Sequence, residues 1–169
     1  MRRWAPAIPL ILLMLNGLGC SGAPSADDTS APSSTGVVGS GPSQTPADLT
    51  NAERTRAGLT PLTPSSPLNT AAQLQADQLA SLQVLEHDVP AGRYPTPADR
   101  LAAAGYPWQA YGENLASGYS TAADTIAGWM NSSGHRANIL NATFSEFGVA
   151  YAIDPTGRPY WVQVFARPR

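Results

Sequence analysis

Three side chains in this sequence have the chemistry to hold a metal ion or move a proton: His87, Glu113 and His135. Glu113 lies in a Gly112-Glu113-Asn114 turn and His135 follows Ser132-Ser133-Gly134, both within a stretch, 111–140, that is poor in charge. His87, the other of the chain's two histidines, stands between Glu86 and Asp88. Two imidazoles and one carboxylate suffice for a divalent metal such as zinc with a fourth position left for water, whose pKa the metal lowers to about 7. Each residue also has a plain structural reading. His87 suits a helix end, where the dipole favours its positive charge; Glu113 can accept from N–H groups of its own glycine turn; His135 can anchor a short segment. No covalent nucleophile accompanies them: Ser132-Ser133 lacks the strand-turn-helix context of a nucleophile elbow, no HExxH is present, and the single cysteine, Cys20, lies far upstream.

The elements that must position these groups follow from spacing and cap residues. Thr45-Pro46 opens a first helix along Leu49, Ala52, Arg56 and Leu59 that ends at Gly58, with Asn51 and Arg54 off the apolar stripe as solvated or locally bonded side chains. Ser66-Pro67 opens a second, running to about Gln83 or Leu85, with Leu68, Ala71, Ala72, Leu79 and Leu82 on its core face. That helix delivers His87, with a solvated Glu86 beside it, into a Pro/Gly-rich loop. Thr96-Pro97 begins a short third helix closed by Gly105, and Tyr106, Pro107, Trp108 and Tyr111 make an aromatic connection into a short extended segment, Gly112 to Ala116. Ser120 or Thr121 caps a fourth helix carrying Ala122, Ile126, Trp129 and Met130 on one face. Ser132-Ser133-Gly134 breaks it, and His135 to Leu140 form another helical turn.

The period then changes to two. Phe147, Val149, Tyr151 and Ile153 alternate with Gly148, Ala150 and Ala152, and after the turn signal Asp154-Pro155-Thr156-Gly157 comes a second strand, Tyr160 to Ala166. The two read as a hairpin whose small-residue face admits a helix closely. Helices on such a sheet give a layered α+β domain.

Composition bounds the rest. Arg2 and Arg3, the apolar run Ala5 to Leu15 and the small residues before Cys20 describe an export signal over residues 1–19, too short to span a bilayer. The segment resembles a bacterial lipoprotein signal, which implies a lipidated Cys20 and a membrane contact made through that anchor alone. Residues 20–45 are rich in Ser, Gly, Pro, Thr and Ala and read as a disordered tether, leaving residues 46–169 as one domain. Charge is sparse, with 10 basic against 12 acidic residues, and no basic face for nucleic acid is evident. With one cysteine, no disulfide forms within the chain.

The motifs in order resemble the CAP superfamily (cysteine-rich secretory proteins, antigen five, pathogenesis-related one), in its disulfide-free bacterial branch. The resemblance rests on Asn51-x-x-Arg54 with Gly58-Leu59-x-x-Leu62, on His87, and on Gly112-Glu113-Asn114-Leu115-Ala116. It continues through Trp129-Met130-x-Ser132-x-Gly134-His135-Arg136-x-Asn138-Ile139-Leu140, Phe147-Gly148-Val149 and Tyr160 to Phe165. It implies a three-layer α-β-α sandwich with a small antiparallel sheet, and a cleft in which two histidines and two acidic residues can hold a divalent metal. His87, Glu113 and His135 match three of those positions; the second acid would fall near Ser132, where the sequence departs from the pattern. The expectation is an exported monomer, lipid-anchored at the cell membrane or else secreted, whose cleft binds a metal, a lipid-like ligand or an envelope partner. A metal-dependent hydrolase (peptidase or esterase) and a purely structural envelope domain are the alternatives.

Overall fold

The computed structural model describes residues 44–169; the expected export signal, Cys20 and most of the expected tether lie outside the described residues. Its elements are α1 (Pro46–Arg56), β1 (Thr63–Pro64), α2 (Ser66–Leu82), α3 (Pro97–Ala103), β2 (Trp108–Ser117), α4 (Ala122–Asn131), α5 (Ser133–Ile139), β3 (Glu146–Ile153) and β4 (Pro159–Pro168). One local device starts three of the helices. Thr45, Thr96 and Thr121 each accept from the backbone N–H of an aspartate three residues on, Asp48, Asp99 and Asp124. At the first two the aspartate also accepts from the threonine N–H, at 2.9 and 3.0 Å, closing a capping box. Such a cap contributes about 1 kcal/mol. The second helix differs by one residue from expectation: Ser65 is its N-cap, and its hydroxyl makes no cap bond.

The four strands form one sheet in the order β1-β3-β4-β2. β3 and β4 pair antiparallel as the expected hairpin, and β2 pairs antiparallel with β4 at the sheet's edge. The sheet is mixed rather than purely antiparallel, because the two-residue β1 runs parallel to β3. A pair of residues carries no readable period, so β1 was invisible in the pattern. β2 is also longer than the short extended segment expected: it begins at Trp108 and takes in the aromatic connection.

Alternation along β4 divides the core. Tyr160, Val162, Val164 and Ala166 face α2 and α3, while Trp161 and Phe165 face α1, α4 and α5, making the three-layer α-β-α sandwich. The first layer packs tightest where Gly148 meets α2: a Cβ there would fall 2.2 Å from the backbone of Leu68 and Asn69. In the second layer Trp129 is fully buried, and its indole N–H donates to the Leu115 carbonyl at 3.0 Å.

Two stripes differ from expectation. In α1 the buried residues are Thr50 and Arg54, while Arg56 is exposed, so Arg54 is no solvated side chain. Its guanidinium donates to the carbonyls of Thr60, Ile139 and Asn141 at 2.8–2.9 Å, and Asn51 holds Leu62 through both its amide atoms. In α2 the core face ends at Ala80, Leu82 is exposed, and Gln75 is fully buried. A polar side chain on an apolar stripe is stable there only if it finds partners, and Gln75 finds them in the loop that carries His87.

Candidate functional site

Glu113 lies on the edge strand β2, with its side chain on the α2–α3 side of the sheet and that of its neighbour Asn114 on the α5 side. The site therefore wraps around the strand's outer edge. From one side comes the loop after α2. Gln75 donates to the Glu86 carbonyl at 2.7 Å, and Arg100 on α3 donates to the His87 carbonyl at 2.9 Å and the Tyr94 carbonyl at 3.1 Å. These two buried side chains fix the backbone that presents His87; Glu86 itself is exposed, as expected. From the other side comes α5, where Asn114 donates to the His135 carbonyl at 3.0 Å, and Asn138 donates to the Glu113 carbonyl at 3.2 Å and to Asn114 Oδ1 at 2.9 Å. Gly112 permits that approach, since a Cβ there would meet Asn138 Oδ1 and the Phe144 ring at 3.0 Å.

The side chains themselves make a row. His87 Nδ1 lies 2.9 Å from Glu113 Oε1, and Arg100 Nη2 lies 3.1 Å from Glu113 Oε2 and 3.4 Å from Oε1. Arg100 and Glu113 are buried, whereas the His87 side chain remains 55% exposed. With Nδ1 turned to the carboxylate, Nε2 is the free ring nitrogen: an acceptor when the ring is neutral, a donor when it is charged. The hydrogen bond to Glu113 raises the His87 pKa above its ordinary value, against a smaller opposing effect of burial. His135 is half-buried on α5, and burial, helped by the charge on His87, lowers its pKa. The two imidazoles are thus shifted in opposite directions, His87 upward by Glu113 and His135 downward chiefly by burial.

Of the three residues picked out from the sequence, His87 and Glu113 are in direct contact and His135 flanks them. The arrangement does not suit a divalent metal. Among the described residues no three His, Cys, Asp or Glu side chains come together to hold one. Both oxygens of Glu113 already accept from N–H groups, and the nearest of these belongs, on one oxygen, to a buried guanidinium that would repel a cation. Arg100 was missed in the sequence, where it read only as part of a short helix. The available signal was its place beside Leu101 on the inner side of that helix, since a buried arginine requires an anion or carbonyls. Five surface cavities of about 140–430 Å³ are lined by other residues.

The site is thus an edge-strand glutamate of an α-β-α sandwich, its carboxylate held by Arg100 and His87 on one side of the sheet. Residues 47–165 match the model of the CAP, cysteine-rich secretory protein family, and the chain belongs to that family. It is 36% identical to the uncharacterized protein YkwD of Bacillus subtilis (strain 168) over 81% of this chain and 50% of that protein. It resembles the crystal structure of an extracellular SCP-domain protein from Bacillus anthracis str. Ames, with a TM-score of 0.66 and 31% identity over 72% of this chain and 39% of that one. An outer surface protein of Borrelia burgdorferi shares the fold, with a TM-score of 0.64 and 21% identity over 71% of this chain and 87% of that one. The chain spans half the length of YkwD and less of the Bacillus anthracis protein. No helix among the described residues is long and apolar enough to cross a membrane.

Proposed function

We propose that this chain is an exported CAP domain that works by recognition rather than turnover, and that its ligand meets the exposed edge of His87 beside His135. One observation carries the reading: both oxygens of Glu113 are engaged by Arg100 and His87, so the carboxylate supports the imidazole instead of serving as a metal ligand or a free base. The free ring edge offers a hydrogen bond whose direction depends on protonation, which suits a polar group, an acceptor below the His87 pKa, on a cell-envelope ligand. Export through residues 1–19 and acylation of Cys20 would hold the domain at the membrane on its tether. Two acyl chains anchor stably where one binds only reversibly.

The ring resonances of the two histidines in the full chain test this reading. Soluble envelope fragments are expected to shift both, and His87→Ala to abolish the shift at His135. Zinc is expected to shift neither below about 1 mM, a range of weak, few-contact binding. Micromolar zinc binding lost in both His87→Ala and His135→Ala would restore the metal reading. Turnover of a peptide or ester library, lost in a folded Glu113→Gln variant, would make the protein a hydrolase. For the anchor, incorporation of a labelled fatty acid is expected in the wild type and absent from Cys20→Ala.

A further inference from the structure

The helices α1 and α4 do not cover the far end of the β3–β4 hairpin. There Tyr151 and Trp161, cross-strand partners, stack with ring centroids 4.7 Å apart and planes 25° from parallel. The Trp161 indole N–H donates to the Tyr119 carbonyl at 2.8 Å, fixing the lower ring, while Tyr151 above it is 51% exposed and Ile153 beside it 58% exposed. Two cavities flank this stack and share both rings. One, of about 400 Å³, opens toward Gln44, Thr45 and Ala122; the other, of about 320 Å³, opens toward Ser120, Gly157 and Pro159. No lining residue of either carries a charge.

We propose that this platform is a binding site for an uncharged oligosaccharide, separate from the His87 site and independent of its role. The chemistry of the lining selects the occupant. A charged peptide or polyanion would find no counter-charge among the lining residues; the nearest cation in sequence, Arg158, lies against Gly118. An acyl chain gains most from an enclosed apolar tunnel, and both cavities are open and edged by the Gln44 amide and the Ser120 hydroxyl. A pyranose has both features required: a face of polarised C–H bonds that meets the electron-rich face of an aromatic ring, and a rim of hydroxyls for neutral polar groups. A cavity on each side of the exposed ring accommodates consecutive sugar units, each within the size range of small-ligand sites. The stack on Trp161 holds Tyr151 in place before binding, which reduces the entropy lost on association.

Titration of the full chain with N-acetylchitotetraose and with cellotetraose, read by tryptophan fluorescence and by the shifts of the tyrosine rings, tests the proposal. At least one neutral oligosaccharide is expected to bind with a dissociation constant near ~1 mM or tighter, as shallow aromatic sites do. Tyr151→Ala, at a half-exposed position that leaves the fold intact by circular dichroism, is expected to weaken binding about tenfold, and Tyr151→Phe to preserve it. The ring resonances of His87 and His135 are expected to stay in place during this titration, which separates this site from the other. Binding that is equal in wild type and Tyr151→Ala, or absent for both sugars, would overturn the proposal. So would Tyr151-dependent association with phosphatidylcholine vesicles, or Tyr151-dependent dimerisation in sedimentation, without sugar binding.

Discussion

At the level of single residues, the chemistry of the site depends on what lies behind His87. A histidine half in solvent would ordinarily titrate near 6.5, and the hydrogen bond it donates to Glu113 raises that value, while burial lowers His135 from the same starting point. The consequences for stability have opposite signs in adjacent windows. Above 6.5 the folded state holds a proton on His87 that the unfolded chain has released, so this contribution is complete below 6.5 and is lost as pH rises through the folded pKa. Below 6.5 the unfolded chain protonates its histidine before folded His135 does, so stability falls as pH drops toward the folded pKa of His135. The contribution of the two histidines is therefore expected to peak near the unperturbed value. In Glu113→Gln, NMR titration is expected to give a lower His87 pKa, and denaturation across the pH range a shallower loss of stability on the alkaline side. An unchanged His87 pKa in that variant would show that the carboxylate does not govern the imidazole. The pairing of His87 with Glu113 was within reach of the sequence because motif order implied a shared cleft. Arg100 was not picked out, because its one signal, a place beside the buried Leu101, is weak in a helix of seven residues.

At the level of elements, caps and periods carried most of the information. The threonine-proline starts of α1 and α3 and a cap at Ser120 or Thr121 for α4 were legible because caps are local, though their aspartate partners were not named, and the β3–β4 hairpin was legible from its period of two and its Asp154 turn. β1 and the first half of β2 were not, because their strand conformation comes from partners distant in sequence: Thr63 opposite Glu146, and Ala110 opposite Arg167. The small residues of β3 were read as room for a helix, and Gly148 makes that concrete. Its missing side chain lets the first turn of α2 rest on the strand, which in turn sets where α2 ends and where the loop delivers His87. Gly148→Ala forces either the strand or α2 to move, since the obstruction is backbone and cannot rotate away. The expected loss is about 3 kcal/mol or more, at the upper end of overpacking effects. Urea denaturation measures it. A loss under about 1 kcal/mol would mean that the layer relaxes easily and that the glycine does not fix the α2–β3 spacing.

For the molecule as a whole, the question is what ties the α1, α4 and α5 layer into one body, since the apolar stripe of α1 is weak. Arg54 supplies the link. It is almost fully buried, and its guanidinium gathers the loop before β1 through Thr60 and the end of α5 through Ile139 and Asn141. No carboxylate is paired with it among the described residues; its counter-charge is the negative end of α5 and the carbonyls around it. The sequence placed Arg54 outside the core because it falls off the stripe drawn through Leu49, Ala52, Arg56 and Leu59, whereas its burial is decided by three carbonyls, two of them more than eighty residues away. The position of α5 bears on the site, because α5 carries His135 and Asn138. Arg54→Leu keeps the volume apolar but leaves these carbonyls without their donor. Bonds to a charged donor contribute about 1.5–3 kcal/mol each, and their losses overlap, so the expected destabilisation is about 3–5 kcal/mol. Because α5 loses its anchor, the His135 resonance is expected to shift and broaden. His87, held from the other layer by Gln75, Arg100 and Glu113, is expected to keep its pKa. Equal perturbation of both histidines would mean that the two layers do not hold their halves of the site independently, and a variant as stable as wild type would mean that the apolar contacts of α1 suffice without the arginine.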